Sequence, residues 1–333
     1  MDLDAFVSEH GAEWNRLQYL AGRRKSRLTP QEVDELVMLY RRAATHLSVV
    51  RSRSDDPTLV AWLSRLVLQA RAAVSPSAGF SIGAIKRFFA VSFPAEVYRM
   101  GGWCLGVAGA FLGFGTLVGY LVVRDPAIAF SVMSPVQIDS YVNNDFEAYY
   151  STYPPQHFAS AVWLNNTLVT AVCLAGGILI LPVLYILFIN ARDIGLVGGV
   201  MVEYGRADVF FGLITVHGLL ELTCVFIAGA AGLRVGWSWI APGPVLTRAQ
   251  SLAQAGRQAT VVALGLAVAL LVSGLVEAFV TPAPIPIALR LVIGATVWLG
   301  FIVYVVVQGR AALRAGDTGD VAAYEREAIA PTV

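Results

Sequence analysis

The stretch GGWCLGVAGAFLGFGTLVGYLVV, residues 101–123, contains no Asp, Glu, Lys, Arg or His. A helix needs about 20 predominantly apolar residues to cross a bilayer, so this stretch predicts a transmembrane helix. It also contains three glycine pairs with GxxxG spacing, which lets helix backbones approach closely. Packing inside one subunit and self-association both fit this pattern. The glycines concerned are Gly102, Gly106, Gly109, Gly113, Gly115 and Gly119.

The rest of the chain contains further apolar runs. A fifth long run, 208–233, includes His217 and Glu221, and a sixth, 194–202, is too short to span a bilayer alone. We therefore expect about six transmembrane segments, with 194–206 crossing as a short, broken helix. In the alternative, 208–233 enters and leaves the membrane on one side as a re-entrant hairpin. The other runs that are long enough to span are 167–189, 258–280 and 287–307.

Composition supports a membrane protein. The chain of 333 residues is 56% hydrophobic and 14% charged, with a mean hydropathy of +0.64. A soluble domain has about 25% charged residues, so the soluble class is excluded. The net charge of +1 gives no reason to expect a nucleic-acid partner. The three cysteines lie in separate apolar runs, so neither a disulfide framework nor a cysteine metal site is expected.

The first 100 residues are the polar part of the chain. Residues 1–75 have helical periodicity and a capping box at Thr29-Pro30-Gln31-Glu32, which predicts a cytoplasmic helical bundle. Residues 76–99 combine Lys86 and Arg87 with phenylalanines, which predicts a linker and an interfacial amphipathic helix. Pro94 is expected to break that helix. A transmembrane domain, 100–310, and a cytoplasmic tail, 311–333, complete the expected all-α, polytopic fold.

The distribution of Lys and Arg predicts the orientation. Lys86 and Arg87 precede the first run, and Arg310 and Arg314 follow the last one. The loop 125–157 contains acidic residues but no Lys or Arg. Because positive residues concentrate on the cytoplasmic side, we expect both termini in the cytoplasm and this loop outside, in a bacterial plasma membrane.

Charged residues inside apolar runs predict a functional centre. His217 and Glu221 are four residues apart, on one helix face, and Glu277 lies in a different run. Such residues usually face a protein interior or a water-filled cavity. We expect them to converge with Asn165 and Asn166, with His217 as the partner of Glu221. The centre can be a structural hydrogen-bonded pair, a proton or solute path, or a metal site.

No recognised catalytic motif accompanies this centre. The sequence contains no Walker A loop, no GxGxxG stretch, no HExxH pair and no evident nucleophile with its base. No motif therefore defines a catalytic residue, a set of metal ligands or a cofactor site, none of these is predicted from a motif, and we do not expect an enzyme.

Four fragments together resemble the stage II sporulation protein M family, formerly a domain of unknown function. They are Asn165-Asn166, HGLLE at 217–221, AGAAGLRVG at 228–236 and VEAFVTP at 276–282. The resemblance covers roughly residues 80–310. It implies a multispan membrane anchor, which in spore-forming members works with a peptidoglycan hydrolase and a membrane-tethered partner. Many members occur where no sporulation takes place.

Two functions follow as hypotheses. The first is an integral membrane scaffold that organises cell-envelope proteins, with the bilayer, other membrane proteins and a homodimer as its partners. The second is a permease or channel-like component that uses the intramembrane His and Glu residues. A transporter needs the charge of Glu221 or Glu277, whereas a scaffold tolerates an isosteric Gln.

Overall fold

The computed structural model describes residues 3–23, 28–53, 56–74, 82–151 and 153–317, and every element within these ranges is helical. The chain divides into two compact units, Met1–Ile82 and Gly83–Val333. The predicted linker residues before Ile82 and the predicted tail beyond Asp317 lie outside the described residues.

Three helices with a core of their own make up the first unit. They are α1 (Leu3–Ala21), α2 (Pro30–Arg53) and α3 (Pro57–Val74). The capping box forms as its sequence predicts: the Thr29 backbone N–H donates to Glu32 Oε2 at 2.8 Å, and the Glu32 N–H donates to Thr29 Oγ1 at 3.2 Å. The apolar faces of these helices meet in one cluster that includes Trp14, Leu17, Leu20, Leu36, Leu47, Leu63 and Leu66.

Among its described residues, the second unit contains six helices that are long and apolar enough to cross a membrane, so the all-α, polytopic fold is confirmed. One of them, α12, contacts each of the other five, and it is the central helix of the bundle. The six are α6 (Gly101–Arg124), α10 (Pro155–Ala175), α11 (Leu181–Glu203), α12 (Ala207–Ile240), α13 (Arg248–Phe279) and α14 (Ile287–Arg314).

The expected boundaries of the second and third spans are wrong. The run 167–189 is divided between α10 and α11 by a 3-10 turn, Gly176–Leu179, and by Ile180, whose φ of 63° is left-handed. The short run 194–202 is the second half of α11, which is continuous for 23 residues. Hydropathy cannot detect this break, because every residue around it is apolar.

The re-entrant alternative for 208–233 is also wrong. These residues belong to α12, a single helix of 34 residues. Because α11 supplies the third span, α12 crosses once, and six spans account for the described part of the membrane unit without a hairpin.

Residues 125–151, here called the loop segment, are largely helical and cover one end of the bundle. Val142 and Phe146 from this segment share a buried cluster with Val200 of α11 and Phe210 of α12. We call this end of the bundle the loop end. The elements of the segment are α7 (Ala127–Phe130), α8 (Pro135–Ser140), a π-helical turn (Tyr141–Asp145), α9 (Phe146–Ala148) and a 3-10 turn (Tyr149–Ser151).

The chain before α6 is helical up to Arg99 and does not break at Pro94. Here α4 (Ile82–Arg87) continues through a π-helical turn into α5 (Phe93–Arg99), and the turn comes at Met100. Proline is tolerated at the first turn of α5, where its missing N–H costs little. The Tyr304 hydroxyl of α14 donates to the Phe89 carbonyl at 2.5 Å, which ties this segment to the bundle.

Candidate functional site

Three packed helices near the loop end bring the predicted polar residues together. His217 and Glu221 lie one turn apart on α12, Glu277 lies in the last turn of α13, and Asn165 and Asn166 lie in the middle of α10. Each of these helices contacts the other two. The fold therefore brings together five polar residues that come from three separate segments of the sequence.

His217 faces the end of α13. Its Nδ1 lies 3.3 Å from Thr281 Oγ1, and its Nε2 lies 3.7 Å from Glu277 Oε1. The Ser273 hydroxyl donates to the His217 backbone carbonyl at 3.2 Å and holds α13 against α12. His217 is 7% exposed and Glu277 is 4% exposed, so this contact is closed to bulk solvent.

Glu221 has a different partner from the one expected. The Asn166 side chain of α10 forms a hydrogen bond with Glu221, while the ion-pair geometry of His217 is with Glu277. A spacing of four places two side chains on one face, but it does not make them partners when neighbouring helices offer closer ones. Glu221 thus links α12 to α10, and His217 links α12 to α13.

Asn165 and Asn166 do not lie at a helix break. Both are inside α10, and the break at residues 176–180 is more than two turns further along. Asn166 is half-buried against Glu221, whereas Asn165 is exposed. Both asparagines therefore belong to the polar centre and not to the break between α10 and α11.

A cavity of about 340 Å³ reaches the two carboxylates from the loop end. Its walls combine aromatic rings, amides and acids, which is a lining that suits a small polar or cationic ligand. The lining residues are Tyr149, Tyr153, Phe158, Ala161, Val162, Asn165, Asn166, Glu221 and Glu277.

Tyrosines of the loop segment cover this cavity. The Tyr150 ring packs on His217 with ring centroids 5.8 Å apart. Burial raises the pKa of the Tyr150 hydroxyl far above its usual range, and the charge of Glu277 raises it further. The pKa of Tyr149 is raised for the same reasons, burial first. Both phenols therefore keep their protons and remain hydrogen-bond donors at neutral pH.

An apolar layer lies on the other side of the centre. After Glu221, the α12 residues from Cys224 to Gly232 are all buried, and several of them join the largest apolar cluster of the unit. The cavity therefore approaches the carboxylates from the loop end, and packed side chains separate them from the far end of α12.

Sequence reasoning did not assign several residues of the centre. Thr281 and Ser273 carry no charge, so nothing in an apolar run distinguishes them from ordinary packing residues. Tyr149 and Tyr150 lie within the predicted loop 125–157, but their approach to His217 depends on how the loop segment folds back. Thr281 is nevertheless part of the quoted VEAFVTP fragment.

The six predicted packing glycines of α6 divide into two groups. A side chain at Gly115 would meet the Ala191 carbonyl, and one at Gly119 would meet the Gly195 carbonyl, so these two pack against α11. Space is open around the remaining four, Gly102, Gly106, Gly109 and Gly113. We call these four the open glycine face.

The open glycine face borders a second cavity. This groove of about 710 Å³ runs between α6 and α11 and is lined mainly by apolar side chains, including Phe114, Leu184 and Phe188. Close by in sequence, Arg192 and Asp193 form an ion pair of 2.7 Å in the middle of α11, with side chains 47% and 55% exposed. The pair lies inside a span and not after one, because α11 continues for ten residues beyond Asp193.

The fold and the polar centre define the class as a six-span, all-α membrane protein. A family model described as Stage II sporulation protein M matches residues 108–282, which is just over half of the chain. The chain belongs to the Stage II sporulation protein M family. A second family model, the domain of unknown function DUF8413, matches residues 4–75, where α1–α3 lie. No curated protein and no solved structure matched the chain.

Proposed function

We propose that this protein is an integral membrane scaffold that organises cell-envelope proteins in a bacterial plasma membrane. The open glycine face of α6 is the observation that carries the proposal. Without a hydrophobic driving force between helices in lipid, small residues that allow close backbone contact favour helix association. Four glycines on one exposed helix, beside a groove of about 710 Å³, make a surface suited to another transmembrane helix.

The Arg192–Asp193 pair supports the same proposal. Both side chains are exposed in the middle of an apolar helix of 23 residues. Charged side chains at membrane depth usually face protein or water, because contact with hydrocarbon is costly. A protein partner on this side of the bundle would cover the pair. A second copy fits, because a twofold axis sets each Arg192 against the other Asp193.

The first unit supports a scaffold in a different way. It has its own core and its own family match at residues 4–75, so it is a module distinct from the membrane bundle. With both termini in the cytoplasm, as the positive residues predict, this module would face cytoplasmic partners.

Site-specific photo-crosslinking in native membranes tests the scaffold. A photoreactive amino acid replaces Leu105, which is 76% exposed on α6, or Leu299, which is 51% exposed on α14. We expect crosslinked membrane proteins from residue 105 and few from residue 299. Equal crosslinking at both positions would indicate random collision and contradict the proposal.

A permease or channel-like function is the second candidate, and the cavity that reaches Glu221 and Glu277 favours it. The Glu221→Gln variant distinguishes the two candidate functions, because it keeps the shape of the side chain and removes its charge. A scaffold keeps its partners and its biological function in this variant. A transporter loses function while the fold remains intact by size-exclusion chromatography.

A further inference from the structure

The polar centre has the geometry of a cation site. His217, Glu221 and Glu277 each offer one ligand atom, and these three atoms lie within 4.8 Å of one another. In a tetrahedral Zn²⁺ site with bonds near 2.0–2.2 Å, ligand atoms are roughly 3.4 Å apart. Small rotations of the two glutamate side chains would therefore bring all three atoms onto one ion.

Two carboxylate oxygens in this cluster lack a partner. Glu221 Oε2 and Glu277 Oε2 are buried and accept no hydrogen bond from any described residue. A buried acceptor that is left unsatisfied costs about 1–3 kcal/mol, and more if it is charged. Two such oxygens beside one cavity point to a positively charged ligand.

The protein supplies little positive charge of its own here. Among the described residues, the only ion-pair geometry at either carboxylate is that of Glu277 with His217. The nearby Arg290 donates to the Thr281 carbonyl at 2.7 Å, and Arg206 pairs with Glu147 of the loop segment. One divalent cation would neutralise both carboxylates.

The orientation of His217 suits a metal ligand. In the tautomer with a proton on Nδ1, that N–H donates a hydrogen bond to the Thr281 hydroxyl at 3.3 Å, and Nε2, which lies 3.7 Å from Glu277 Oε1, keeps a free lone pair. Metal-binding histidines almost always donate their other ring N–H to an oxygen in this way. Thr281 is fully buried, and Arg290 holds its backbone carbonyl in place.

We propose that His217, Glu221 and Glu277 bind one divalent transition-metal ion of the Zn²⁺ or Mn²⁺ class. One imidazole and two carboxylates suit these ions, whereas Ca²⁺ and Mg²⁺ prefer oxygen ligands alone. Three protein ligands leave further coordination positions open towards the cavity that Asn165 and Tyr153 line. The inference does not depend on the scaffold proposal, because a metal here can hold α12 and α13 together in any functional class.

Metal titration of the purified full chain tests the proposal. The protein carries an affinity tag without histidines, is stripped with a chelator in mild detergent, and is titrated with Co²⁺ as a spectroscopic probe and then with Zn²⁺. We expect visible d–d absorption that saturates at one equivalent and disappears when Zn²⁺ competes. Absence of the Co²⁺ signal together with no bound Zn²⁺ by elemental mass spectrometry would overturn the proposal.

Variants assign the bound ion to this cluster. His10, Glu13 and His46 of the first unit also lie close enough to hold an ion, so His46→Gln is the matched control. We expect the Glu277→Gln and Glu221→Gln variants each to lose the one equivalent of bound metal ion. The His46→Gln variant should retain it. If His46→Gln loses the bound metal ion and both glutamate variants retain it, the assignment of the ion to His217, Glu221 and Glu277 is overturned.

A measurement on the wild-type chain covers the case of variants that do not fold. Zn²⁺ should raise the unfolding temperature of the stripped wild-type protein, and Mg²⁺ at the same concentration should leave it unchanged, because only an ion bound to the folded state stabilises it. Equal responses to the two ions would contradict a transition-metal site.

Discussion

At the scale of single residues, Thr281 determines how His217 is oriented. Its hydroxyl lies 3.3 Å from His217 Nδ1, and the residue is fully buried. Thr281→Val keeps the shape but leaves Nδ1 without a partner, which costs about 1–3 kcal/mol. We expect a lower unfolding temperature in detergent. Thr260→Val is the control, because the exposed Thr260 hydroxyl only bonds a carbonyl of its own helix, and its effect should be small. Equal effects of both changes would contradict this role of Thr281.

His46 makes the first unit sensitive to pH. Its pKa is lowered, first by burial and then by the neighbouring His10. The unfolded chain therefore takes up this proton more readily than the folded unit. The stability that the neutral ring provides is complete above about pH 6.5 and is lost as the pH falls below that value. Protonation also removes the acceptor that Trp14 Nε1 uses at 3.2 Å.

Hydrogen exchange checks this pH dependence in the full chain. Exchange in peptides from residues 3–74 should accelerate between pH 7.5 and 5.5, after correction for the intrinsic rate. The increase should be smaller in His46→Gln, whose amide oxygen can still accept from Trp14. If the variant and the wild type respond identically, His46 does not control the change.

The residues of the polar centre differ in how far sequence alone reveals them. His217, Glu221 and Glu277 can be identified from sequence, because placing an ionisable side chain inside an apolar run costs free energy and usually indicates a function. Which of them pair is a tertiary property, and the expected His217–Glu221 partnership was wrong because α13, the turn after it and α10 supply other partners, namely Glu277, Thr281 and Asn166. An uncharged residue such as Thr281 gives no comparable signal.

At the scale of elements, the break between α10 and α11 packs against Gly232 and Gly236, which belong to the AGAAGLRVG fragment of the family resemblance. A side chain at Gly232 of α12 would meet the Cys173 carbonyl, and one at Gly177 would meet the Gly232 carbonyl. The GxxxG pair Gly232–Gly236 therefore packs against the turn that follows α10. Six spans could be predicted from hydropathy and length, but this break could not, because it needs no polar residue.

Gly232→Ala should destabilise the membrane unit strongly. Its new methyl group would collide with backbone, which cannot move aside as a flexible side chain can, and overpacking of this kind typically costs about 1–3 kcal/mol. Gly256→Ala in α13 is the matched control, because no atom lies near enough to clash and alanine favours a helix by about 1 kcal/mol. Thermal unfolding in detergent should show a large decrease for the first variant and no decrease for the second. Similar values for both would mean that the α10–α11 turn does not depend on this contact.

At the scale of the whole molecule, the orientation in the membrane is open to direct measurement. Tyr19 and Asn144 are exposed, and single cysteines at these positions can be compared in a background where Cys104, Cys173 and Cys224 are replaced. A membrane-impermeant maleimide should label Asn144→Cys in intact cells and Tyr19→Cys only after permeabilisation. Strong labelling at residue 19 with none at residue 144 in intact cells would reverse the proposed orientation.

Self-association should depend on the open glycine face of α6. Its four glycines follow one another at intervals of four, three and four residues, which places them along one side of the helix. The Gly109→Ile and Gly113→Ile changes add branched side chains that keep a partner backbone away. No atom of the described residues lies within 4 Å of a side chain placed at either position, so the fold should survive. We expect a homodimer in the wild type and a monomer in the double variant, by mass photometry in mild detergent.

Gly300→Ile on α14 separates this interface from a general effect of larger residues. Gly300 also has open space around it and is exposed on a different span. The dimer should persist in this variant. If the α6 double variant still forms the dimer, the interface does not lie on the open glycine face. The Asp193→Asn variant then tests whether it lies on the neighbouring surface of α11. A twofold contact between Arg192 and Asp193 loses both of its ion pairs in that variant, so an unchanged dimer there as well would exclude this side of the bundle as the interface.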